Sequence, residues 1–147
     1  METSEFPGVT HGDGYAVAHL DDLGEGYGFR KVRKGLGVSA FGVNAIVMPA
    51  GYETGSHFHD EQEELYFVHR GTIEMEFGDG SVQRLQEGAF ALVGAPTLRK
   101  VRNVGEGDAV YLCAGGKDGY VGRDGRLPEG ESRVGGGPPG APRDAGA

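Results

Sequence analysis

The stretch GYETGSHFHDEQEELYFVHRG, residues 51–71, carries two patterns at once. Its apolar and polar residues alternate as in a β-strand that continues into a hairpin. His57 and His59 are two positions apart, and Glu64 begins the next predicted strand. Because residues two apart on a strand face the same way, both imidazoles point to one side. A hairpin between the two strands would bring the Glu64 carboxylate to the same ion.

Two imidazoles and one carboxylate on one side of a metal leave open positions for a substrate or for oxygen. Such a donor set suits non-haem Fe(II) chemistry. Tyr66 shares the strand parity of Glu64 and would line the same cavity, as a general acid or as a hydrogen-bond donor to a substrate. The other interpretation of Tyr66 is a core aromatic residue with a satisfied hydroxyl. The histidine pair alone is also compatible with a polar strand surface, because short motifs often match by chance.

Composition excludes several classes of protein. A chain of 147 residues is long enough for a single domain with its own core. Its formal net charge of −8 argues against a nucleic-acid groove or an anionic membrane surface as partner. The single cysteine, Cys113, excludes an internal disulfide and a multi-cysteine zinc site, and we expect it to be a buried, inert strand residue. No signal-peptide pattern or membrane-length apolar run is found, so we expect a cytoplasmic protein.

Short alternating runs separated by glycine-rich turns predict an all-β sandwich or barrel. The predicted strands are residues 14–20, 27–33, 38–48, 56–59, 63–69, 72–77, 81–85, 89–93, 97–104 and 109–114. The clearest hairpin is EMEFGDGSVQRL, in which Asp79 and Gly80 can take the positive φ angles of a tight turn. The basic segment RKVRK, residues 30–34, is interpreted as an edge strand whose charges block pairing.

The ends of the chain differ in composition from its middle. Residues 1–13 are predicted to form a loose N-terminal arm, and residues 14–116 the folded barrel. Two similar short sequences, KDG and RDG, predict that residues 117–130 lie on the barrel as surface turns. The Gly/Pro-rich segment 131–147 has almost nothing to bury, so we expect it to be disordered.

The opening stretch resembles the first conserved motif of the cupin superfamily, G-x5-H-x-H-x4-E-x6-G. The residues at the required spacing are Gly51, His57, His59, Glu64 and Gly71. The resemblance covers residues 37–115 and implies a small single-domain cupin, folded as an all-β jelly-roll (double-stranded β-helix) barrel. In that family the two histidines and the glutamate are metal ligands, usually for iron, manganese, nickel or zinc. The resemblance therefore implies a divalent transition metal as cofactor.

The second cupin motif, G-x5-P-x-G-x2-H-x3-N, is altered in this chain. In GAFALVGAPTLRKVRN, Gly88 and Asn103 match, whereas Gly94 occupies the proline position and Pro96 the glycine position. The critical change is Arg99, at the position for which the resemblance implies the fourth metal ligand, a histidine. Arginine stays protonated and has no lone pair to donate, so it cannot replace that ligand.

Three interpretations of Arg99 are open at this point. In the first, His57, His59 and Glu64 still bind a metal, and Arg99 holds an anionic group of a substrate. In the second, Arg99 pairs with Glu64, and its fixed charge replaces the metal. In the third, the strand is shifted or Arg99 turns outward. Because a guanidinium near a divalent cation is repelled unless anions lie between them, an arginine here makes most sense with an anionic ligand.

Two functional hypotheses follow. The first is a metal-dependent enzyme that oxygenates or isomerises a small anionic metabolite, with Arg99 and Tyr66 at the substrate. The second is a metal-free, non-catalytic ligand-binding or structural cupin in which Arg99 pairs with Glu64. The resemblance also implies a homodimer, since small members of the family usually cover sheet faces and edges by dimerising. Among the other histidines, His69 is expected at the surface, and His19 is considered for the barrel mouth.

Overall fold

The computed structural model describes residues 5–122 and 124–129, and most of its elements are β-strands. In chain order they are β1 (Thr10–Gly12), β2 (Tyr15–Val17), β3 (Gly28–Arg30), β4 (Gly42–Met48), β5 (Phe58–His59), β6 (Glu63–Arg70), β7 (Ile73–Phe77), β8 (Val82–Leu85), β9 (Phe90–Val93), β10 (Arg99–Asn103), β11 (Ala109–Gly116) and β12 (Gly125–Arg126). A 3-10 turn at Leu20–Asp22 and a short helix α1 at Val32–Leu36 complete the elements. Nowhere in the described ranges is a helix long and apolar enough to cross a membrane. The segment 131–147, predicted to be disordered, lies outside the described residues.

Two antiparallel sheets face each other around one core. The larger sheet has the strand order β3-β4-β11-β6-β9, and the smaller has the order β10-β7-β8. Strand β5 pairs with β12, and an antiparallel bridge between His57 and Arg99 joins this pair to the edge of the smaller sheet. The result is a jelly roll, which confirms the all-β fold predicted from the sequence.

The core lies between the inner faces of the two sheets. Its buried apolar residues are Ile46, Met48, Tyr66, Val68, Ile73, Met75, Val93, Val101, Ala109 and Tyr111. Alternation along the strands places them there: on β7, Ile73 and Met75 are fully buried, whereas Glu74 and Glu76 lie on the other face. Burial of these apolar side chains is the main favourable contribution to folding.

The predicted hairpin joins β7 to β8. The Phe77 N–H donates to the Ser81 carbonyl over 2.9 Å, and the Gly80 N–H donates to the Phe77 carbonyl over 2.9 Å. Gly80 has a φ of +87°, which glycine adopts without a steric penalty. Asp79 does not take a positive φ; its Oδ1 instead accepts the backbone N–H and the hydroxyl of Ser81. The turn is confirmed, but only one of its two central residues needs the left-handed conformation.

The basic segment RKVRK does not form the predicted edge strand. Strand β3 ends at Arg30, and α1 begins at Val32 and packs against β4. Gly37 ends the helix with a φ of +80°, and its N–H donates to the Arg33 carbonyl over 2.9 Å. The strand prediction is wrong because five alternating residues are too few to distinguish a strand from a single helical turn.

Part of the predicted N-terminal arm also forms a strand. Strand β1 pairs with β2, from Thr10 opposite Val17 to Gly12 opposite Tyr15. His11 lies in the middle of β1 and is exposed. Residues 10–12, which belong to the predicted loose arm, therefore form one strand of a small hairpin.

Large apolar side chains are exposed on the outer face of the larger sheet. In the register of β6 and β9, Leu65 lies opposite Leu92, and Phe67 lies opposite Phe90. Leu65, Leu92 and Phe90 are exposed, and the rings of Phe67 and Phe90 are 4.7 Å apart between centroids. Exposed apolar patches often mark sites of protein interaction. The homodimer stays a prediction.

Candidate metal and anion site

The structure brings His57, His59 and Glu64 together inside the jelly roll. One potential ligand atom from each residue lies within 4.8 Å of the other two. The Nε2 atom of His57 is 3.9 Å from Glu64 Oε1, and the Nε2 atom of His59 is 3.1 Å from the same oxygen. Both histidines are only 7% exposed. The three predicted metal ligands therefore converge in a buried position.

The three residues do not converge through the predicted hairpin. Strand β5, which carries His59, pairs with β12 and not with β6. Strand β6 lies in the larger sheet, where Glu64 is opposite Gly115 on β11 and Val93 on β9. A Cβ at Gly115 would lie 3.1 Å from Glu64 Cγ, so the glycine leaves room for this side chain. The histidines and Glu64 thus meet across the barrel from two different sheets.

The separations of the two histidine nitrogens from Glu64 are compatible with a shared metal ion. Two ligands bound at about 2.1 Å are separated by about 3.0 Å at a right angle and by at most about 4.2 Å. Both nitrogen–oxygen separations to Glu64 fall in this range. The buried Nε2 of His59 has no hydrogen-bond partner of suitable geometry among the described residues, although Glu64 Oε1 is 3.1 Å away. This is expected when both atoms are directed at a shared position beside them.

The electrostatics keep Glu64 ionised. Burial raises the pKa of the Glu64 carboxyl, but its interactions with His57, His59 and Tyr66 outweigh this and hold the pKa well below its ordinary value. The Tyr66 hydroxyl donates to Glu64 Oε1 over 2.7 Å. An ionised carboxylate at neutral pH is the state that metal binding requires.

Tyr66 contacts Glu64 and lies opposite Cys113 in the pairing of β6 with β11. Burial, followed by the neighbouring Cys113 and Glu64, raises the pKa of Tyr66 well above its ordinary value, so the hydroxyl stays a donor. Burial and the Glu64 carboxylate likewise raise the pKa of the Cys113 thiol, which makes it a poor nucleophile. The hydroxyl of Tyr66 is satisfied as in a core aromatic residue, and its catalytic role stays a prediction.

Arg99 lies on the inner face of β10, next to His57. The two residues exchange backbone hydrogen bonds of 2.9 Å, so their side chains project from the same face of the sheet. Arg99 is 0% exposed. The third interpretation, in which the strand is shifted or Arg99 turns outward, is therefore wrong.

Backbone carbonyls hold one end of the Arg99 guanidinium. Its Nη2 donates to the Gly94 carbonyl over 3.2 Å and to the Val93 carbonyl over 3.5 Å. Its Nε and Nη1 are buried and have no hydrogen-bond partner in the part of the chain that the structure describes. Within residues 5–122 and 124–129 no carboxylate lies within 4.0 Å of this guanidinium, so the pairing with Glu64 is not formed. A buried cation that lacks a counter-ion is energetically unfavourable, so an anionic ligand bound to Arg99 would stabilise it.

The other predicted histidines do not join the site. His69 is exposed at the end of β6, as expected. His19 is exposed, and its Nδ1 accepts the Asp21 N–H over 3.1 Å at the start of the 3-10 turn. The placement of His19 at the barrel mouth is wrong, because its side chain caps this turn.

Two buried polar residues near His59 were not predicted. The Gln62 amide nitrogen lies 3.1 Å from His59 Nδ1. Asp124 Oδ2 lies 3.8 Å from the same nitrogen and accepts the N–H groups of Glu61 and Gln62, each over 2.9 Å. Asp124 belongs to the segment predicted as surface turns, yet it is 5% exposed, and the strand that follows it pairs with β5. The sequence RDG predicts a turn, and it gives no indication that Asp124 would contact His59 and the turn that follows it.

The match to known proteins covers the same part of the chain. A family model described as the cupin domain (Cupin_2) matches residues 44–115, which include the three clustered residues and Arg99. The chain belongs to the cupin superfamily. A cupin protein from Bacteroides fragilis aligns with this cupin at a TM-score of 0.61 and 20% identity, covering 71% of this chain and 85% of that one. Among curated proteins, no sequence matches this cupin.

Solved structures similar to this cupin include enzymes. A sugar phosphate isomerase of the cupin superfamily from Silicibacter pomeroyi aligns with a TM-score of 0.56 and 25% identity, over 60% of this chain and 58% of that one. A DMSP lyase from Ruegeria pomeroyi aligns with a TM-score of 0.54 and 21% identity, over 64% of this chain and 46% of that one. This cupin thus spans less than two thirds of either enzyme, and its likeness to the lyase shows the fold alone.

Proposed function

We propose that this cupin binds a divalent transition metal and a small anionic metabolite, and acts on that metabolite as an isomerase or an oxygenase. His57, His59 and Glu64 would hold the metal, and Arg99 would hold the anion. One observation carries the proposal: three potential ligand atoms cluster inside the jelly roll, and Arg99, which is paired with His57, is buried with two guanidinium nitrogens that have no partner among the described residues. Imidazole and carboxylate together suit iron, manganese, nickel or zinc.

The charges of the site favour an anionic ligand. A divalent ion and Arg99 together outweigh the single negative charge of Glu64. Excess charge in a poorly solvated interior is unfavourable, and a bound anion removes it. Guanidinium groups bind carboxylates and phosphates through strong charge-assisted hydrogen bonds. A carboxylate or phosphate between the metal and Arg99 would satisfy both.

The residues of this chain suggest how a substrate would be handled. The metal, when bound, would act as a Lewis acid toward an oxygen of the substrate. Arg99 would fix the anionic end of the substrate, and Tyr66 would keep Glu64 oriented through its 2.7 Å hydrogen bond. The likeness to a sugar phosphate isomerase supports isomerisation of a phosphorylated metabolite. The three-residue ligand set, which leaves positions open on the metal, supports oxygenation equally.

Metal content tests the proposal directly. Untagged protein purified without chelator should contain a transition metal in elemental analysis, and His57→Ala should lose it. His69→Ala is the matched control, because His69 is exposed and its loss should leave the metal in place. Less than about a tenth of an equivalent in the wild type, unchanged in His57→Ala, would refute the proposal and favour the metal-free alternative, since sites with the usual affinity of protein metal centres retain more.

The reaction class needs a separate measurement. The metal-loaded protein is incubated with phosphorylated and carboxylated metabolites while an oxygen electrode records oxygen and NMR records isomerisation. Oxygen consumption that depends on His57 supports the oxygenase, and interconversion of isomers without oxygen uptake supports the isomerase. If neither occurs although metal and anion both bind, the catalytic part of the proposal is contradicted.

A further inference from the structure

We infer that Asn44 binds the substrate beside the proposed metal and anion site, where its side-chain amide forms hydrogen bonds with a hydroxyl or carbonyl group. The substrate is then a small anion that also carries such a group at a distance from its anionic end. The inference rests on the proposed function and narrows its class of substrate. It concerns a residue that is neither a predicted metal ligand nor a charged group.

Asn44 points into the jelly roll. It lies on β4, two and four positions before Ile46 and Met48, and both of these side chains belong to the core between the two sheets. Residues two apart on a strand face the same way, so the Asn44 side chain projects from the inner face of the larger sheet. Only 7% of Asn44 is exposed. An amide group therefore lies in the interior of the barrel.

The pairing of the strands places Asn44 beside the candidate site. Cys113 on β11 lies opposite Asn44 on one side and opposite Tyr66 of β6 on the other. Glu64 is two residues before Tyr66 and shares its face of β6. The backbones of β4 and β6 are two strand spacings apart, which is about 10 Å. A ligand of metabolite size can therefore contact Asn44 while it binds at the position shared by the predicted metal ligands.

The side-chain amide of Asn44 forms no hydrogen bond with any of the described residues. An asparagine amide carries two N–H donors and an oxygen with two lone pairs. Leaving these groups buried and unpaired is unfavourable. The Asn44 amide atoms are not fully enclosed, unlike Nε and Nη1 of Arg99. A bound molecule can therefore reach them and supply the missing hydrogen bonds.

Asn103 shows how a buried asparagine is satisfied when it serves the fold. It is 2% exposed, and its Nδ2 donates to the Met48 carbonyl over 3.0 Å and to the Gly107 carbonyl over 2.9 Å. Its Oδ1 accepts the Gly105 N–H over 2.9 Å. Buried polar groups are generally paired in this way. Asn44 is nearly as buried but has no such contact with the described residues, so its amide is available to a ligand.

The chemistry of an amide determines which group it selects. An amide can donate to a hydroxyl or carbonyl oxygen and can accept from a hydroxyl, whereas Arg99 favours the charged end of the ligand. A site built around such an amide discriminates against an analogue that lacks the hydroxyl, because the amide then stays desolvated and unpaired. Arg99 and Asn44 together therefore fit an anion such as a hydroxy acid or a polyol phosphate.

Calorimetry with two matched phosphates tests the inference. Glycerol 3-phosphate and propyl phosphate have the same carbon chain, and only the first carries hydroxyl groups. The Zn(II)-loaded wild type should bind glycerol 3-phosphate more tightly. In Asn44→Leu this affinity should fall by about five- to tenfold, as expected for one neutral hydrogen bond, while the affinities for propyl phosphate and inorganic phosphate stay the same. Gln83→Leu, at an exposed position, should behave like the wild type. Equal losses for all three ligands in Asn44→Leu, or no loss, would overturn the inference.

Stability distinguishes a ligand-binding asparagine from a structural one. Asn44→Leu removes an unpaired buried amide, so the urea midpoint of the ligand-free protein should stay the same or rise. Asn103→Leu is the matched control, and the loss of its three hydrogen bonds should lower the midpoint. An equal fall in both variants would assign Asn44 to the fold and contradict the inference. Asn44→Ala cannot overpack the interior and should lose the preference for glycerol 3-phosphate even if leucine does not fit.

The outcomes separate this inference from the proposed function. A preference for glycerol 3-phosphate that depends on Asn44, in a protein that takes up no metal, would refute the metal site and leave the role of Asn44 intact. Binding of metal and inorganic phosphate without any preference that depends on Asn44 would refute the role of Asn44 and leave the metal and anion site intact.

Discussion

The candidate site has two parts that satisfy their polar groups in opposite ways. We call His57, His59, Glu64 and Tyr66 the histidine side, and Arg99 the arginine side. On the histidine side, His57, His59 and Glu64 lie within 4.8 Å of one another, and Tyr66 donates to the carboxylate. On the arginine side, Arg99 carries a full positive charge, and among residues 5–122 and 124–129 only its Nη2 has hydrogen-bond partners, which are carbonyls. The first arrangement offers lone pairs to a cation, and the second offers N–H groups to an anion.

This difference shows that the chemistry of a side chain at one position can differ while the backbone hydrogen bonds of that position stay the same. Arg99 keeps the two 2.9 Å backbone hydrogen bonds with His57 and an inward side chain. A histidine at this position would therefore also point into the barrel, toward the other three ligands. Under the proposed function, an arginine in place of a histidine at this position would remove a metal ligand and add an anion-binding group while the backbone pairing with His57 stays in place.

Arg99→Met should have the largest effect, because it removes the anion-binding group of the arginine side. Loss of charge-assisted hydrogen bonds should weaken the binding of inorganic phosphate to the Zn(II)-loaded protein by about 100-fold. Zn(II) affinity should stay the same or rise, because the repulsion between the two cations disappears. Titration calorimetry measures both. Arg102→Met on the same strand is the control, since Arg102 pairs outward with Glu76. Equal phosphate affinity in Arg99→Met and the wild type would contradict the assignment.

Arg99→His should have a smaller effect than Arg99→Met. It replaces the anion-binding group with a further potential metal ligand. A third imidazole at the inward position completes a four-residue ligand set, so Zn(II) affinity should rise by about tenfold or more. Phosphate binding should fall as in Arg99→Met. Chelator competition measures the first effect and calorimetry the second. An unchanged Zn(II) affinity would mean that the new imidazole does not reach the ion.

Tyr66→Phe should weaken the histidine side by removing the donor to Glu64. The metal-free protein should lose about 1 kcal/mol of unfolding free energy, the usual contribution of a single hydrogen bond. Urea denaturation measures it. Tyr52→Phe is a control in a partly buried tyrosine that packs against the core. A loss in Tyr66→Phe no larger than that in the control would mean that the hydroxyl adds nothing to the site.

Tyr66→Phe should also change how the stability of the metal-free protein depends on pH. The folded pKa of Glu64 is lowered, so its contribution to stability is present above the unfolded pKa and is lost as pH falls through the folded pKa. Tyr66 is one of the groups that lower this pKa. In Tyr66→Phe the folded pKa should lie closer to the unfolded pKa, so the acid loss of stability should be smaller and should end at a higher pH than in the wild type. Coincident acid limbs would contradict the role of the hydroxyl.

Strand parity is why part of the site could be predicted from the sequence. Residues two apart face the same way, so the alignment of His57 with His59 needs only local information. The approach of Glu64 was predicted correctly, but for the wrong reason. A hairpin was expected, whereas β5 pairs with β12, and Glu64 comes from the other sheet. Which strands pair is decided by long-range packing that local alternation does not encode.

The direction of Arg99 and the contacts of Asp124 could not be predicted for the same reason. The segment TLRKVRN alternates poorly, and the register with β7, in which Arg99 lies opposite Phe77, determines which residues face inward. Asp124 lies in a turn-like segment that becomes relevant only when β12 pairs with β5. Both residues acquire their environment from strands that are distant in sequence.

The smallest expected effect is on the outer face of β10. Arg102 donates to Glu76 over 2.7 Å and lies 3.9 Å from Glu53, but it is partly exposed, and solvent and salt screen such pairs. Arg102→Met should therefore lower the unfolding free energy by only about 0.5 kcal/mol in urea. The loss should shrink further in 1 M salt, where screening acts within roughly 3 Å. A loss of several kcal/mol that salt does not change would contradict the view that the Arg102 ion pairs on the outer face of β10 are weak and screened. A small, salt-sensitive loss would leave Arg99, on the inner face, as the charge of this strand that bears on function.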